Sequence, residues 1–112
     1  MRNNIILHNL QNHPYEVEFK PHGNSMTPKI YSGQKVKLIY INPEKVIVGD
    51  IVYAKVKGTY YLHIVSAIAN NKVQISNNHG HINGWTNKSN IYGICVEVDG
   101  KTIISKKEID NR

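Results

Sequence analysis

A serine stands at the centre of an unusual turn sequence. Ser25 lies in the segment HGNSMTP, where Gly23 precedes it by two residues and Pro28 follows it by three. A glycine and a proline let the backbone bend sharply, and such a turn can present the hydroxyl and the N–H of Ser25 to an incoming carbonyl. A serine hydroxyl is a weak nucleophile unless a nearby base takes its proton. The segment therefore predicts a nucleophile only if a base lies beside it.

His63 is the best candidate for that base. It lies in the middle of the segment YYLHIV, where its neighbours are apolar and packing does not require an imidazole. The ordinary pKa of histidine is close to neutrality, where a general base works best. The alternative interpretation is a histidine that is satisfied in or near the core. Folding must bring His63 within hydrogen-bond distance of Ser25 for the first interpretation to hold.

Two further groups of reactive side chains have weaker patterns. His79 and His81 flank a glycine in a polar segment, but no cysteine pair and no HExxH sequence accompany them. Cys95 is the single cysteine, and it lies in the apolar segment 91–98, where a thiol is usually a small buried hydrophobe. We expect neither a metal site nor another cofactor. A chain with one cysteine forms no internal disulfide, which is typical of a reducing compartment.

The elements that must position these residues are predicted to be strands. Apolar and polar residues alternate from Tyr15 onward, and β-branched and aromatic residues are frequent. We predict seven strands, at residues 15–21, 35–41, 51–57, 60–69, 72–76, 91–98 and 101–105. Residues 77–88 are polar and contain glycine, so we predict a loop there. Short strands joined by tight turns predict a mostly β fold, a coiled sheet or a small barrel with little helix.

Length and charge limit the remaining possibilities. The 112 residues contain no linker-like segment, so we predict one domain over residues 1–112, with segments 1–14 and 106–112 loosely ordered. No apolar stretch reaches the length of a membrane span, and the N-terminal segment does not resemble a secretory signal, so we expect a cytoplasmic protein. The net charge is +6, but the basic residues are scattered. Nucleic acid is therefore a less favoured partner than a polypeptide.

Four segments together resemble a known group of peptidases. They are GNSMTPKIYSGQKV, VGDIVYAKV, YYLHIV and ISNNHGHINGWTNKSNIYGICVEV, and they extend in this order from Gly23 to Val98. They are similar to the nucleophile box and the following boxes of the clan of serine peptidases that contains LexA repressors and signal peptidases. Most of that clan uses a lysine as the base, whereas the endoplasmic-reticulum and sporulation type of signal peptidase uses a histidine. The chain resembles a short form of the second type, such as a phage or mobile element could encode.

The resemblance implies roles for particular residues. Ser25 would be the nucleophile and His63 the general base, with the Ser25 N–H in the oxyanion hole. The oxyanion and substrate groove would include Asn24, Met26, Asn77 and Asn78. The substrate would be an extended peptide with small residues before the cleaved bond.

The sequence departs from this family pattern in four respects. Ile64 follows the base where many relatives carry arginine, Gly23 lacks the hydroxyl that assists the oxyanion hole in some relatives, and no membrane anchor is evident. The stretch from Ser76 to Tyr92 contains no carboxylate, although the histidine-type relatives use an aspartate there. We therefore expect Asn77, Asn78 or a backbone carbonyl to orient His63, and slow catalysis to result.

Two functions remain open on the sequence alone. The first is a serine endopeptidase that uses Ser25 and His63 on an extended peptide. The second is a binding module that retains the peptidase fold, is catalytically weak or inactive, and grips a phage or host protein along the same groove. A LexA-like regulator is disfavoured because the residues ahead of Ser25 are too few for a helix-turn-helix.

Overall fold

The computed structural model describes residues 16–112. Its strands are β1 (Glu16–Phe19), β2 (Val36–Ile39), β3 (Ile51–Val56), β4 (Thr59–Ala69), β5 (Lys72–Ser76), β6 (Ile82–Asn87), β7 (Ile91–Val98) and β8 (Lys101–Thr102). The helical elements are short: two 3-10 helices, Pro43–Lys45 and Lys88–Asn90, and one C-terminal α-helix, α1 (Lys106–Asp110). The prediction of a mostly β fold with little helix is confirmed. Each of the seven predicted strands corresponds to an observed one, although the first was predicted to begin at Tyr15, outside the described residues.

The strands form one antiparallel sheet. Its order is β1-β2-β7-β3-β4-β5-β6, and β8 pairs with the end of β7. The sheet does not close on itself, which favours the coiled sheet over the small barrel among the two predicted forms. β1 and β6 are the edges of this order, and β3 lies at its centre between β7 and β4.

Apolar side chains cover both faces of β3. Because side chains alternate along a strand, Ile51 and Tyr53 face one cluster of buried residues while Val52 faces the other. Met26 and Ile30, from the segment between β1 and β2, belong to the cluster on the Ile51 face. The turn that carries Ser25 is therefore anchored to the sheet by its own apolar residues.

Residues 77–88 were predicted to be a loop, and half of that prediction is wrong. β6 occupies residues 82–87 and pairs antiparallel with β5, with Thr86 opposite Val73. The hydroxyl of Thr86 also donates a hydrogen bond of 2.9 Å to the carbonyl oxygen of Lys55 in β3. These contacts are made with distant parts of the chain, so the local sequence INGWTN gives little indication of a strand.

Residues 106–112, which were predicted to be loosely ordered, contain a short helix, whereas segment 1–14 lies outside the described residues. Helix α1 begins with a capping box, in which the Ser105 hydroxyl accepts from the Glu108 N–H and the Glu108 carboxylate accepts from the Ser105 N–H. Ile109 is buried in the core, and the Arg112 guanidinium binds both carboxylate oxygens of Asp50. Of the helices in residues 16–112, none has the length and apolar character that a membrane crossing requires.

Candidate active site

The Ser25 turn has a defined shape. The Ile30 N–H donates to the Met26 carbonyl oxygen at 3.0 Å, which closes a single helical turn, and the side chains of both residues are buried. The Gly33 N–H donates to the Pro21 carbonyl oxygen at 2.8 Å and ties the two ends of the segment together. Ser25 lies at the start of the turn and is exposed to solvent. The turn thus holds the hydroxyl at the surface while its apolar residues fix the backbone.

The hydroxyl of Ser25 lies beside the imidazole of His63. The distance between Ser25 Oγ and His63 Nε2 is 3.1 Å, which is within hydrogen-bond range. His63 is held on β4 by pairing opposite Val52 of β3, and only 8% of its surface is exposed. The structure therefore brings together the two residues that the sequence predicts as nucleophile and base.

Asn83 contacts the other nitrogen of the imidazole. The distance between His63 Nδ1 and Asn83 Oδ1 is 2.6 Å. An amide oxygen can only accept a hydrogen bond, so the ring proton lies on Nδ1 and Nε2 accepts from the Ser25 hydroxyl. The expectation that Asn77, Asn78 or a backbone carbonyl orients His63 is therefore wrong. Asn83 was missed because it lies on β6, the strand that the sequence did not reveal.

The surroundings of His63 favour its neutral form. Burial is the main cause that lowers the pKa of His63, while the hydrogen bond to Asn83 raises this pKa and the neighbouring His81 lowers it. The ring of Tyr61 stacks on the imidazole with 4.9 Å between centroids. A neutral imidazole with its proton on Nδ1 is the form that can accept a proton from a serine.

The loop after β5 supports the Ser25 turn from outside. The Asn78 N–H donates to the Ser25 carbonyl oxygen at 2.9 Å, and Asn78 Nδ2 donates to the Thr27 carbonyl oxygen at 3.0 Å. His79 Nε2 lies 2.9 Å from both the Asn24 carbonyl oxygen and the Thr27 hydroxyl. Four groups of the turn, three carbonyl oxygens and one hydroxyl, are thereby held in place around Ser25.

Asn77 shapes the supporting loop itself. Its Oδ1 accepts hydrogen bonds from the N–H groups of His79 and His81, at 2.8 and 2.9 Å. Asn24, Asn77 and Asn78 were predicted in the oxyanion and substrate groove. The contacts that the structure gives them instead hold the loop and the turn.

The backbone N–H of Ser25 is available as a hydrogen-bond donor beside the Ser25 hydroxyl. Within residues 16–112, no acceptor occupies this N–H, and Ser25 is exposed. A backbone N–H beside the nucleophile can donate to the carbonyl oxygen that gains negative charge during attack. The Gly23 N–H is already taken by the Ser32 hydroxyl at 3.1 Å.

A cavity opens directly beside Ser25 and His63. Its volume is about 190 Å³, and its walls are residues 21–23, 25–26 and 30–31 on one side and residues 60–63 of β4 on the other. Met26 lines this cavity, whereas Asn24, Asn77 and Asn78 do not. Ser25 and His63 both line this cavity, so a molecule bound there would contact both residues.

Other reactive groups lie elsewhere or are already engaged. Cys95 is buried, and burial raises the pKa of its thiol to about 12, so it stays protonated. Asp50 is paired with Arg112, and Asp99 accepts from the Lys35 N–H and the Gln34 amide. Among residues 16–112, no three His, Cys, Asp or Glu side chains are grouped closely enough to hold a metal ion.

No protein-family model, curated protein or solved structure matches this chain significantly.

Proposed function

We propose that the protein is a signal-peptidase-like serine endopeptidase with Ser25 as nucleophile and His63 as general base. The observation that carries this proposal is the distance of 3.1 Å between Ser25 Oγ and His63 Nε2. The Nδ1 contact with Asn83 supports it, because the ring is then held in the tautomer that a base requires.

The chemistry follows from these contacts. Ser25 Oγ attacks the peptide carbonyl carbon while its proton passes to His63 Nε2, and the carbonyl oxygen, now negative, accepts a hydrogen bond from the Ser25 N–H. His63 then gives the proton to the leaving amine as the C–N bond breaks, which leaves an acyl-enzyme. A water molecule, deprotonated by His63, then attacks the ester carbonyl, and His63 returns this proton to Ser25 Oγ as the ester C–O bond breaks and the second product leaves.

The edge of β4 supports an extended peptide as substrate. β3 and β4 are joined by a two-residue turn in which both residues have positive φ, as in a type I′ hairpin. Val56 and Thr59 flank this turn and exchange backbone hydrogen bonds with each other. Along the two strands, hydrogen-bonded pairs then alternate with pairs that do not bond, and Tyr60 and Leu62 belong to the second kind. The backbone groups of Tyr60 and Leu62 therefore point away from β3.

No described strand pairs with this part of β4 on its other side. β5 pairs with β4 only from Ile64 to Ala69, so the outward backbone groups of Tyr60 and Leu62 have no partner strand among the described residues, and both residues line the cavity beside the dyad. A peptide in extended conformation could add to this edge as a further strand, which is a common mode of peptide recognition. Such a peptide would pass Ser25 and His63 at one end of the paired segment.

One observation favours the alternative function, a catalytically weak or inactive module that grips a protein partner. The group at Nδ1 is the amide of Asn83 and not a carboxylate, so it stabilises an imidazolium less well. The same β4 edge would then hold a partner segment without cleaving it. A cytoplasmic location and a phage or mobile-element origin remain predictions from the sequence.

Separate Ser25→Ala and His63→Ala variants test the proposal. Protein N-termini are mapped by mass spectrometry in cells that express each variant, the parent chain or Ser89→Ala, a control that removes an exposed serine of the 3-10 helix Lys88–Asn90. We expect new N-termini with the parent and with Ser89→Ala, and none with the two site variants. The same N-termini in all four samples would contradict the enzymatic function.

A further inference from the structure

We infer that the cavity beside the dyad binds one large apolar side chain of the substrate, at a residue close to the cleaved bond. This inference rests on the proposed function and specifies its substrate. Ser25 and His63 both line the cavity, so a side chain that fills it belongs to a residue near the reacting carbonyl. The family resemblance alone would instead imply small residues before that bond.

The walls of the cavity combine apolar and aromatic side chains with the polar side chains of His22, Ser25 and His63. Met26 and Ile30, which are buried, line it together with Leu62 of β4. Tyr31 and Tyr60 add aromatic rings, and 54% of the surface of Tyr31 is exposed. No Lys, Arg, Asp or Glu is among the described residues that line the cavity, so a charged substrate side chain would find no partner of opposite charge.

The volume of the cavity also exceeds what a small side chain fills. An apolar cavity of roughly 150 Å³ is large enough to bind benzene. At about 190 Å³, this cavity can hold a leucine or phenylalanine side chain, although it is open to solvent on one side. An alanine methyl group would leave the apolar part of the walls, such as Met26 and Leu62, in contact with water, which is unfavourable.

The position of the cavity links it to the backbone of a bound peptide. Tyr60 and Leu62 lie on one face of β4, whereas Tyr61 and His63 lie on the other, because side chains alternate along a strand. Side chains of both faces line the cavity, so the cavity lies along the edge of β4 itself. A peptide that pairs with this edge would direct a side chain into the cavity while its carbonyl group lies near Ser25.

Binding to the Ser25→Ala variant tests the inference without catalysis. The probes are short extended peptides of threonine, serine and alanine that differ only at one central residue, which is alanine, leucine, phenylalanine or lysine. We expect the leucine and phenylalanine peptides to bind at least about tenfold more tightly than the alanine and lysine peptides. Equal affinities, or no measurable binding by any of the four, would overturn the inference.

A second substitution locates the preference in this cavity. Ser25→Ala combined with Tyr31→Ala removes an aromatic wall, and we expect the preference for phenylalanine over alanine to fall several-fold. Tyr40→Ala in the same Ser25→Ala background is the matched control, because Tyr40 is another exposed tyrosine and does not line this cavity. A preference that is unchanged by Tyr31→Ala, or that Tyr40→Ala reduces equally, would contradict the assignment.

Cleavage of a randomised peptide mixture separates this inference from the proposed function. If the parent chain cuts no peptide that Ser25→Ala leaves intact, the peptidase proposal fails, while the binding experiment still decides the preference. If the parent chain cuts peptides in a Ser25-dependent manner, we expect leucine, phenylalanine or a similar residue to be enriched next to the cut. Enrichment of alanine, glycine or serine on both sides would contradict the inference alone.

Discussion

At the scale of single residues, the contact between His63 and Asn83 is expected to limit the rate of the proposed reaction. The Asn83 amide fixes the proton on Nδ1 and aims Nε2 at the Ser25 hydroxyl. It carries no charge, so it offers little stabilisation when His63 becomes an imidazolium during attack. In the proposed mechanism Asn83 positions the base, and replacing its amide with a carboxylate would keep the geometry and add the missing charge.

Asn83→Asp is therefore expected to raise activity. We expect kcat to increase at least about tenfold, since replacing the aspartate of a serine-protease triad by asparagine lowers kcat by roughly 10⁴. The pH profile should change in a defined direction. His63 acts as a base only when neutral, so activity falls as the pH drops below its pKa. Burial lowers this pKa in the parent, and the carboxylate would raise it, so the acidic limb of kcat/KM should move to higher pH.

Asn77→Asp is the matched control for this prediction. Asn77 lies in the same region, but its side-chain oxygen accepts from the His79 and His81 N–H groups, a role that a carboxylate can keep. We expect it to change kcat far less than Asn83→Asp does. If Asn83→Asp left both kcat and the acidic limb unchanged, Asn83 would have no part in orienting the base.

At the scale of elements, the sequence predicted the turns and strands whose structure is determined by neighbouring residues. The Ser25 turn carries its own glycine, proline and methionine, and β4 is rich in aromatic and β-branched residues around His63, so both could be assigned from nearby residues. β6 could not be assigned in this way. Its residues Ile82–Asn87 have the sequence INGWTN, in which apolar and polar residues do not alternate. The strand depends on pairing with β5 and on the hydrogen bond from Thr86 to Lys55. Asn83 was missed for the same reason, because its approach to His63 follows from long-range packing.

Gly84 shows how closely β6 must approach the β3–β4 hairpin. Its φ is +140°, a conformation that L-residues rarely adopt, and a Cβ atom there would lie 3.3 Å from the side chains of Val56 and Lys57. Gly84→Ala should push β6 away and lengthen the adjacent contact between Asn83 and His63. We expect kcat/KM to fall about tenfold or more, because small misplacements of catalytic groups are costly. Peptide cleavage by the folded variant measures the effect.

Gly80→Ala separates steric displacement from backbone strain. Gly80 also has positive φ, at +85°, but a Cβ atom there would meet nothing within 4 Å. Both substitutions should destabilise the fold by about 1–3 kcal/mol, whereas only Gly84→Ala should reduce the activity of the folded protein strongly. Equal losses of activity would mean that close packing at Gly84 does not position Asn83.

At the scale of the whole molecule, the C-terminal helix is joined to the centre of the sheet. Arg112 donates to both Asp50 oxygens, at 2.7 and 2.8 Å, and to the Lys45 carbonyl oxygen at 3.0 Å. Asp50 also accepts from the Ile47 N–H and lies directly before β3, the central strand. Ile109 packs in the same core, so α1 stabilises the sheet although it lies far along the chain from β3.

Arg112→Ala is therefore expected to lower the stability of the whole sheet without altering the dyad. The substitution leaves the buried Asp50 carboxylate with the Ile47 N–H but without its charged partner, a loss of about 1–3 kcal/mol in the free energy of unfolding. Urea unfolding should show a lower midpoint with an unchanged slope, because the folded surface stays the same. Lys101→Ala, at an exposed position of β8, should leave the midpoint within the range of an ordinary surface substitution, about 0.5 kcal/mol. A parent-like midpoint for Arg112→Ala would show that this ion pair contributes little to the stability of the sheet. The activity per folded molecule should stay the same in both variants, because neither residue lines the cavity beside Ser25.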